Sequence, residues 1–220
     1  MYKCLGDMGR TKLKKFIELK SFPNVFDQEQ EMISANLKKY FANKNSYTLE
    51  VGCGEGDYTV NLAKQFSDRN FIGIDIKQAR LYVGAKKALE NNINNAAFIS
   101  ARVEKLTDVF KENEVEEIYI PFPEPHVRRR SIPRRLVSPE MLNVYKNILR
   151  SDGRIHFKTD DRDLFQYSLE VISKAGLTII KQNSDVHSQE NLTLAETITT
   201  RYERYYKREG RKIHYVCFRF

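Results

Sequence analysis

The heptapeptide Glu50-Val51-Gly52-Cys53-Gly54-Glu55-Gly56 restricts what this chain can fold into more than any other segment. It is entered from the apolar run Tyr47-Thr48-Leu49 and left through the helix-like stretch Tyr58 to Phe66, so it reads as strand, glycine turn and helix. Glycines at alternate positions let the backbone turn sharply and approach a ligand where a Cβ would collide, and the new helix presents free N–H groups there. The spacing is G-x-G-x-G, not the G-x-G-x-x-G of a dinucleotide site, and the carboxylate of Glu50 at the strand end opposes a pyrophosphate. A ligand with a cationic end suits it better.

A second acid stands where a ribose would need one. Asn70-Phe71-Ile72-Gly73-Ile74-Asp75 is a short apolar run ending in a carboxylate, about 20 residues beyond the glycines, the interval of a βαβ unit. A carboxylate at that tip can accept from both hydroxyls of a ribose diol. S-adenosylmethionine combines a ribose with an ammonium and a sulfonium, and Glu50, Gly52, Gly54 and Asp75 are its candidate ligands. The plainer reading, that two such turns only close an ordinary doubly wound sheet, loses weight once Asp75 is in place.

The rest of the chain alternates short apolar runs with amphipathic stretches, the sequence form of a parallel sheet covered on both faces. Strands are expected at Tyr47 to Val51, Phe71 to Asp75, Ala97 to Ser100, Glu117 to Pro121, Arg154 to Lys158 and Leu177 to Lys181. Helices are expected at Gln78 to Glu90, Met141 to Leu149 and Leu164 to Lys174. Lys212 to Phe220 alternates polar and apolar residues after Gly210, which predicts a terminal antiparallel strand with one dominant buried face. With 220 residues and 41% hydrophobic content, one large domain with an N-terminal extension is expected.

Charge and cysteine usage narrow the class. A net charge of +8 and a pI of about 9.3 make a polyanionic partner plausible without requiring one. Cys4, Cys53 and Cys217 have no C-x-x-C spacing, so neither a disulfide framework nor a cysteine metal site is indicated, and no metal is expected. No apolar stretch approaches the roughly 18 residues needed to span a bilayer, and the lysine-dotted N-terminus lacks the apolar region of a secretory signal. A cytoplasmic protein without membrane contact is expected, monomeric or homodimeric.

The segment from Ile118 to Leu136 departs from ordinary fold-building. The strand Ile118-Tyr119-Ile120 runs into Pro121-Phe122-Pro123-Glu124-Pro125-His126, whose prolines cannot continue a ladder and stiffen a loop at the carboxyl end of a central strand, where open α/β sheets bind ligands. Glu124 is thereby held at the crevice. Arg128, Arg129, Arg130, Arg134 and Arg135 follow, and such a cluster stays exposed unless it meets an anion. Phosphate is the natural one, since guanidinium forks match its oxygens, and the neighbouring acid favours a nucleic-acid surface over a merely solvated loop.

Two further clusters carry chemistry. Phe157-Lys158-Thr159-Asp160-Asp161 puts carboxylates at another strand end, with Asp161 a natural N-cap for the helix beginning near Arg162. Thr197 to Lys207 mixes tyrosines with cations and reads equally as a base-stacking, phosphate-pairing element or as a tyrosine-rich amphipathic helix.

Taken together, L-E-V-G-C-G-E-G-D-Y, F-I-G-I-D, P-F-P-E-P-H-V-R-R-R-S-I-P-R-R-L, F-K-T-D-D and T-R-Y-E-R-Y-Y resemble the bacterial tRNA (guanine-N7-)-methyltransferases from about residue 20 to the end. Gly9 to Phe16 and Phe22 to Phe26 resemble one branch of that family. The resemblance implies a Rossmann-like, class I S-adenosylmethionine-dependent fold, with a mostly parallel seven-stranded sheet and an antiparallel C-terminal strand. It implies a basic extension over residues 1–30 and a methyltransferase domain over 31–220, and methyl transfer to N7 of the variable-loop guanine, position 46, of tRNA. Glu50 and Asp75 match the family's cofactor acids; Glu124 stands where an aspartate serves cofactor and catalysis. Arg128 matches a substrate-contacting lysine and Asp160 a second substrate acid. Thr200, Arg201, Tyr202 and Glu203 match a T-x-x-E substrate motif. The chain departs in having P-E-P-H for P-D-P-W, and Ala101-Arg102 where many members place Asp or Asn over the adenine, which leaves the backbone of Arg102 for that role. Methyl transfer to another RNA or a small molecule, and a non-catalytic RNA-binding module, are the competing readings.

Overall fold

The structure is a computed structural model and describes residues 13–220. Gly9 to Lys12, Cys4 and the rest of the arm before residue 13 lie outside the described residues. Eight strands form one sheet: β1 (Val25–Asp27), β2 (Tyr47–Val51), β3 (Asn70–Asp75), β4 (Ala96–Ser100), β5 (Val115–Pro121), β6 (Leu149–Thr159), β7 (Thr178–Asn183) and β8 (His214–Arg219). Their order is β1-β4-β3-β2-β5-β6-β8-β7, with only β8 running against the rest.

Near-continuous apolar strands are what a sheet covered on both faces requires. In β4, Ala97 and Ile99 point into one core while Ala96 and Phe98 point into the other; in β8, Val216 and Phe218 oppose Tyr215 and Cys217. The first core is closed by α1 (Ile33–Phe41), α5 (Pro139–Ile148) and α6 (Arg162–Lys174), the second by α2 (Asp57–Gln65) and α3 (Gln78–Glu90). Helix starts follow local chemistry: the side chains of Ser138 and Asp161 accept from Met141 N and Leu164 N, capping α5 and α6. The short helices α4 (Leu106–Val109) and α7 (Leu194–Thr197) and the eight-residue α8 (Arg201–Arg208) complete the frame.

Several features differ from the sequence expectation, among them the start of β6 at Leu149, where helix was expected, rather than at Arg154. The sheet gains β1, drawn from the segment expected as an extension; three residues are too few to show strand periodicity, and pairing of Val25, Phe26 and Asp27 with Phe98, Ile99 and Ser100 creates the strand. The C-terminal strand has two buried faces, not one, because it lies inside the sheet where both cores reach it, Val216 and Phe218 joining one and Tyr215 and Cys217 the other. Residues 13–19 form a helical segment whose Leu19 is buried, and Glu18 accepts from the Tyr82 hydroxyl of α3 at 2.7 Å.

Candidate active site

The glycine turn folds back over the tip of β3. Gly52 N and Cys53 N both donate to the Ile74 carbonyl, at 2.8 and 3.0 Å, and Gly54 N donates to Asp75 Oδ2 at 2.9 Å. Asp75 Oδ1 accepts from Lys77 N, so the carboxylate is fixed while lone pairs remain for a diol. Gly54 has φ +56°, and a Cβ there would meet nothing nearer than Arg80 at 4.0 Å, leaving the space above it to a ligand. Gly56 serves packing instead: a Cβ would lie 2.5 Å from Phe98, so α2 can begin only on a bare backbone.

Glu50 is 3% exposed and accepts from Thr59 N and Thr59 Oγ1 at 2.7 and 2.6 Å. Burial pushes its carboxyl up to about 8 despite those hydrogen bonds. A cation seated beside it would restore the ionised form.

These groups open into a cavity of about 690 Å³, whose opposite wall is the prolyl loop with Glu124 and His126. Phe122 and His126 sit at φ 50° and 45°, a region non-glycine residues rarely occupy, and the surroundings impose it. Phe122 N donates to the Lys158 carbonyl at 2.7 Å, and Arg135 Nε donates to the Pro125 carbonyl at 2.9 Å. Arg135 is 8% exposed and lies 4.4 Å over the Tyr167 ring. The expectation of an exposed arginine cluster is therefore corrected at this residue, because its guanidinium braces the loop. Arg128, Arg129, Arg130 and Arg134 are exposed as expected, the last at the cavity.

The N-terminus of α8 forms a third wall. Thr200 caps it, accepting from Glu203 N; Arg201 N donates to Asp57 Oδ2 at 2.8 Å, and Arg201 Nη1 reaches Glu55 Oε1 at 2.7 Å. Arg80 stacks over Tyr202 at 5.8 Å. The one buried residue of α8 is a carboxylate, Glu203, whose Oε2 lies 2.8 Å from Lys158 Nζ; His187 Nε2 is 3.2 Å from Oε1. Lys158 also donates to the carbonyls of Glu196 and Ile198. Burial draws its ammonium below the usual lysine range, against the pull of Glu203.

Of the residues singled out in the sequence, Glu50, Gly52, Gly54, Asp75, Arg102, Glu124, Thr200, Arg201 and Tyr202 line this one cavity. Arg128 is exposed outside it. Asp160 is held by Arg211 at 2.8 Å and does not line it, and Glu203 lies wholly beneath the surface. The Arg102 N–H, expected over the adenine, is donated to Gln28 Oε1 at 2.9 Å. The sequence signal for Lys158 is its place within Ile155-His156-Phe157-Lys158, a strand covered on both faces, where a lysine implies a buried anion opposite. Glu55, Asp57, Arg80 and Tyr206 also line the cavity without having been assigned a role.

Among the described residues no group of three His, Cys, Asp or Glu side chains could hold a metal ion, and no helix is long and apolar enough to cross a membrane. A mostly parallel sheet with a bare glycine turn and carboxylates at adjacent tips, facing one crevice, defines a Rossmann-like methyltransferase. The 16S rRNA methyltransferase KamB shares this fold with a TM-score of 0.64 at 16% identity, over 87% of this chain and 95% of that one. Residues 44–216 match the family described as putative methyltransferase. The tRNA (guanine-N(7)-)-methyltransferase of Christiangramia forsetii is 38% identical over 96% of this chain and 98% of its own. That of Cytophaga hutchinsonii is 37% identical over 97% and 99%. The chain belongs to the tRNA (guanine-N(7)-)-methyltransferase family.

Proposed function

We propose that the protein transfers the methyl group of S-adenosylmethionine to N7 of the variable-loop guanine, position 46, of tRNA. The observation that carries this reading is the single cavity joining Glu50 and Asp75 to Glu124, Thr200, Arg201 and Tyr202. The residues fit the donor: open space above Gly54 for its backbone contact, a buried carboxyl at Glu50 suited to a cation, and a fixed carboxylate at Asp75 suited to a diol. When bound, the donor supplies an electrophilic methyl on a sulfonium.

The protein's own task is placement. Guanine N7 carries an in-plane lone pair that is free at neutral pH, so no general base has to create the nucleophile, and alignment with the methyl can supply several kcal/mol. Glu124, on the braced prolyl loop, accepts from the N1–H and amino group of the base and stabilises the positive charge that the ring acquires. Tyr202 and Tyr206 offer aromatic faces to a base turned out of the tRNA stack. Arg128, Arg129 and Arg130 hold phosphates outside the cavity. Asp160 and Glu203 act through other residues, Asp160 by holding Arg211 over Tyr206 at 4.9 Å and Glu203 by seating α8 on Lys158. In this reading residues 31–220 are the methyltransferase domain and residues 1–30 a basic extension that lends β1 to its sheet.

The test is incubation with labelled S-adenosylmethionine and unmodified tRNA, followed by reduction and aniline scission. Cleavage at position 46 is expected. Label in another nucleotide, or in a small acceptor that survives ribonuclease, would replace this reading.

A further inference from the structure

Asp57 is the first residue of α2, directly after the glycine turn, and its Oδ2 accepts from Arg201 N, the first N–H of α8, at 2.8 Å. A carboxylate on the first residue of one helix thus caps the N-terminal end of another, 144 positions away in the chain. The α8 end carries unsatisfied N–H groups and partial positive charge that this anion meets, while the α2 end is held separately by Glu50, which accepts from Thr59 N. The Glu55–Arg201 pair runs parallel to this contact, but the Arg201 side chain is 70% exposed, and such a pair is worth little alone. Asp57 is therefore the joint between the turn that faces the donor and the helix that presents Thr200, Arg201 and Tyr202.

We infer that Asp57 is a positioning residue that couples the two ligand sites, so that donor and tRNA each strengthen the binding of the other. The inference rests on the function proposed above. A ligand seated on Gly54 fixes residues 52–56, and with them the start of α2; Asp57 then holds the α8 N-terminus where the RNA must meet it. A tRNA bound against α8 fixes the same carboxylate from the other side. Coupling between two sites is reciprocal, and energies typical of such coupling correspond to about 5- to 150-fold in affinity.

The test is the tRNA dissociation constant by filter binding, with and without saturating S-adenosylhomocysteine, for the wild type, Asp57→Ala and Asp57→Asn. The wild type is expected to bind tRNA about fivefold or more tighter with the donor product present. Asp57→Ala is expected to bring that ratio below about twofold. Asp57→Asn fills the same space and can still accept from Arg201 N, so it should fold if the alanine variant does not, and it should fall between the two because the charge is gone. A merely structural role would weaken both ligands and leave the ratio unchanged; an unchanged ratio in the asparagine variant, or a wild-type ratio of one, overturns the inference. A wild type that methylates tRNA but shows no coupling sinks this inference alone, whereas one that neither binds nor methylates tRNA sinks the function as well.

Discussion

Lys158 Nζ lies 2.8 Å from Glu203 Oε2 with the two side chains 3% and 0% exposed, so the strand carrying Asp160 and the helix carrying Tyr202 are joined by a pair of charges out of water. Such a pair adds little net stability compared with a well-packed apolar pair, yet removing one member strands the other. Its value lies in location: the two remaining donors of Lys158 hold the carbonyls of Glu196 and Ile198, just before α8.

Lys158→Met should therefore lower stability by about 3–5 kcal/mol, read from the shift in urea midpoint. Adding Glu203→Leu should recover part of the loss, because no buried charge is then left unpaired. If the two losses simply add, the pair is not coupled.

Glu50 sets a pH dependence whose sign follows from its burial. Its folded value of about 8 lies above the ordinary 4.5, so the folded protein binds more protons than the unfolded chain between those values. Its contribution to stability is complete below pH 4.5, declines as pH rises and is gone near 8. Glu50→Gln should flatten that slope in urea titrations run across the range. Binding of S-adenosylhomocysteine, whose ammonium favours the ionised carboxyl, should release a proton below pH 8, measurable by calorimetry in buffers of different ionisation enthalpy. Proton uptake instead would place the ammonium elsewhere.

Glu124→Gln keeps the shape of the prolyl loop and removes its charge. Single-turnover methylation should slow by roughly tenfold or more while tRNA affinity changes less than about twofold. An unchanged rate would remove Glu124 from the chemistry.

The arginines should separate into two groups. Arg129→Ala and Arg130→Ala should each weaken tRNA binding and reduce the slope of log affinity against log salt by about 1, with no change in melting temperature. Arg135→Ala should instead destabilise the fold, since it frees the Pro125 carbonyl and uncovers Tyr167. A melting temperature unmoved in Arg135→Ala would show that it belongs with the others.

Much of the donor half of the cavity was legible along the chain. Glu50, the glycines and Asp75 sit at tips of strands whose apolar runs announce them, and a tip's position follows from local pattern alone. The RNA-facing half was legible only as composition. Nothing in Arg128 to Arg135 distinguishes the brace at Arg135 from its exposed neighbours, because the ring of Tyr167 that receives it belongs to α6. T-R-Y-E likewise does not reveal that its glutamate points inward, since the partner lies on β6.

The sequence by itself determined the parallel sheet, the glycine turn and the two acids beside it, because hydrophobic periodicity and backbone freedom act over a few residues. Tertiary structure alone decided which charged side chains face the cavity and which are sealed beneath it. Those outcomes depend on pairing and desolvation between segments distant in the chain, as when Asp57 meets Arg201 or Lys158 meets Glu203, and no local pattern encodes such distances.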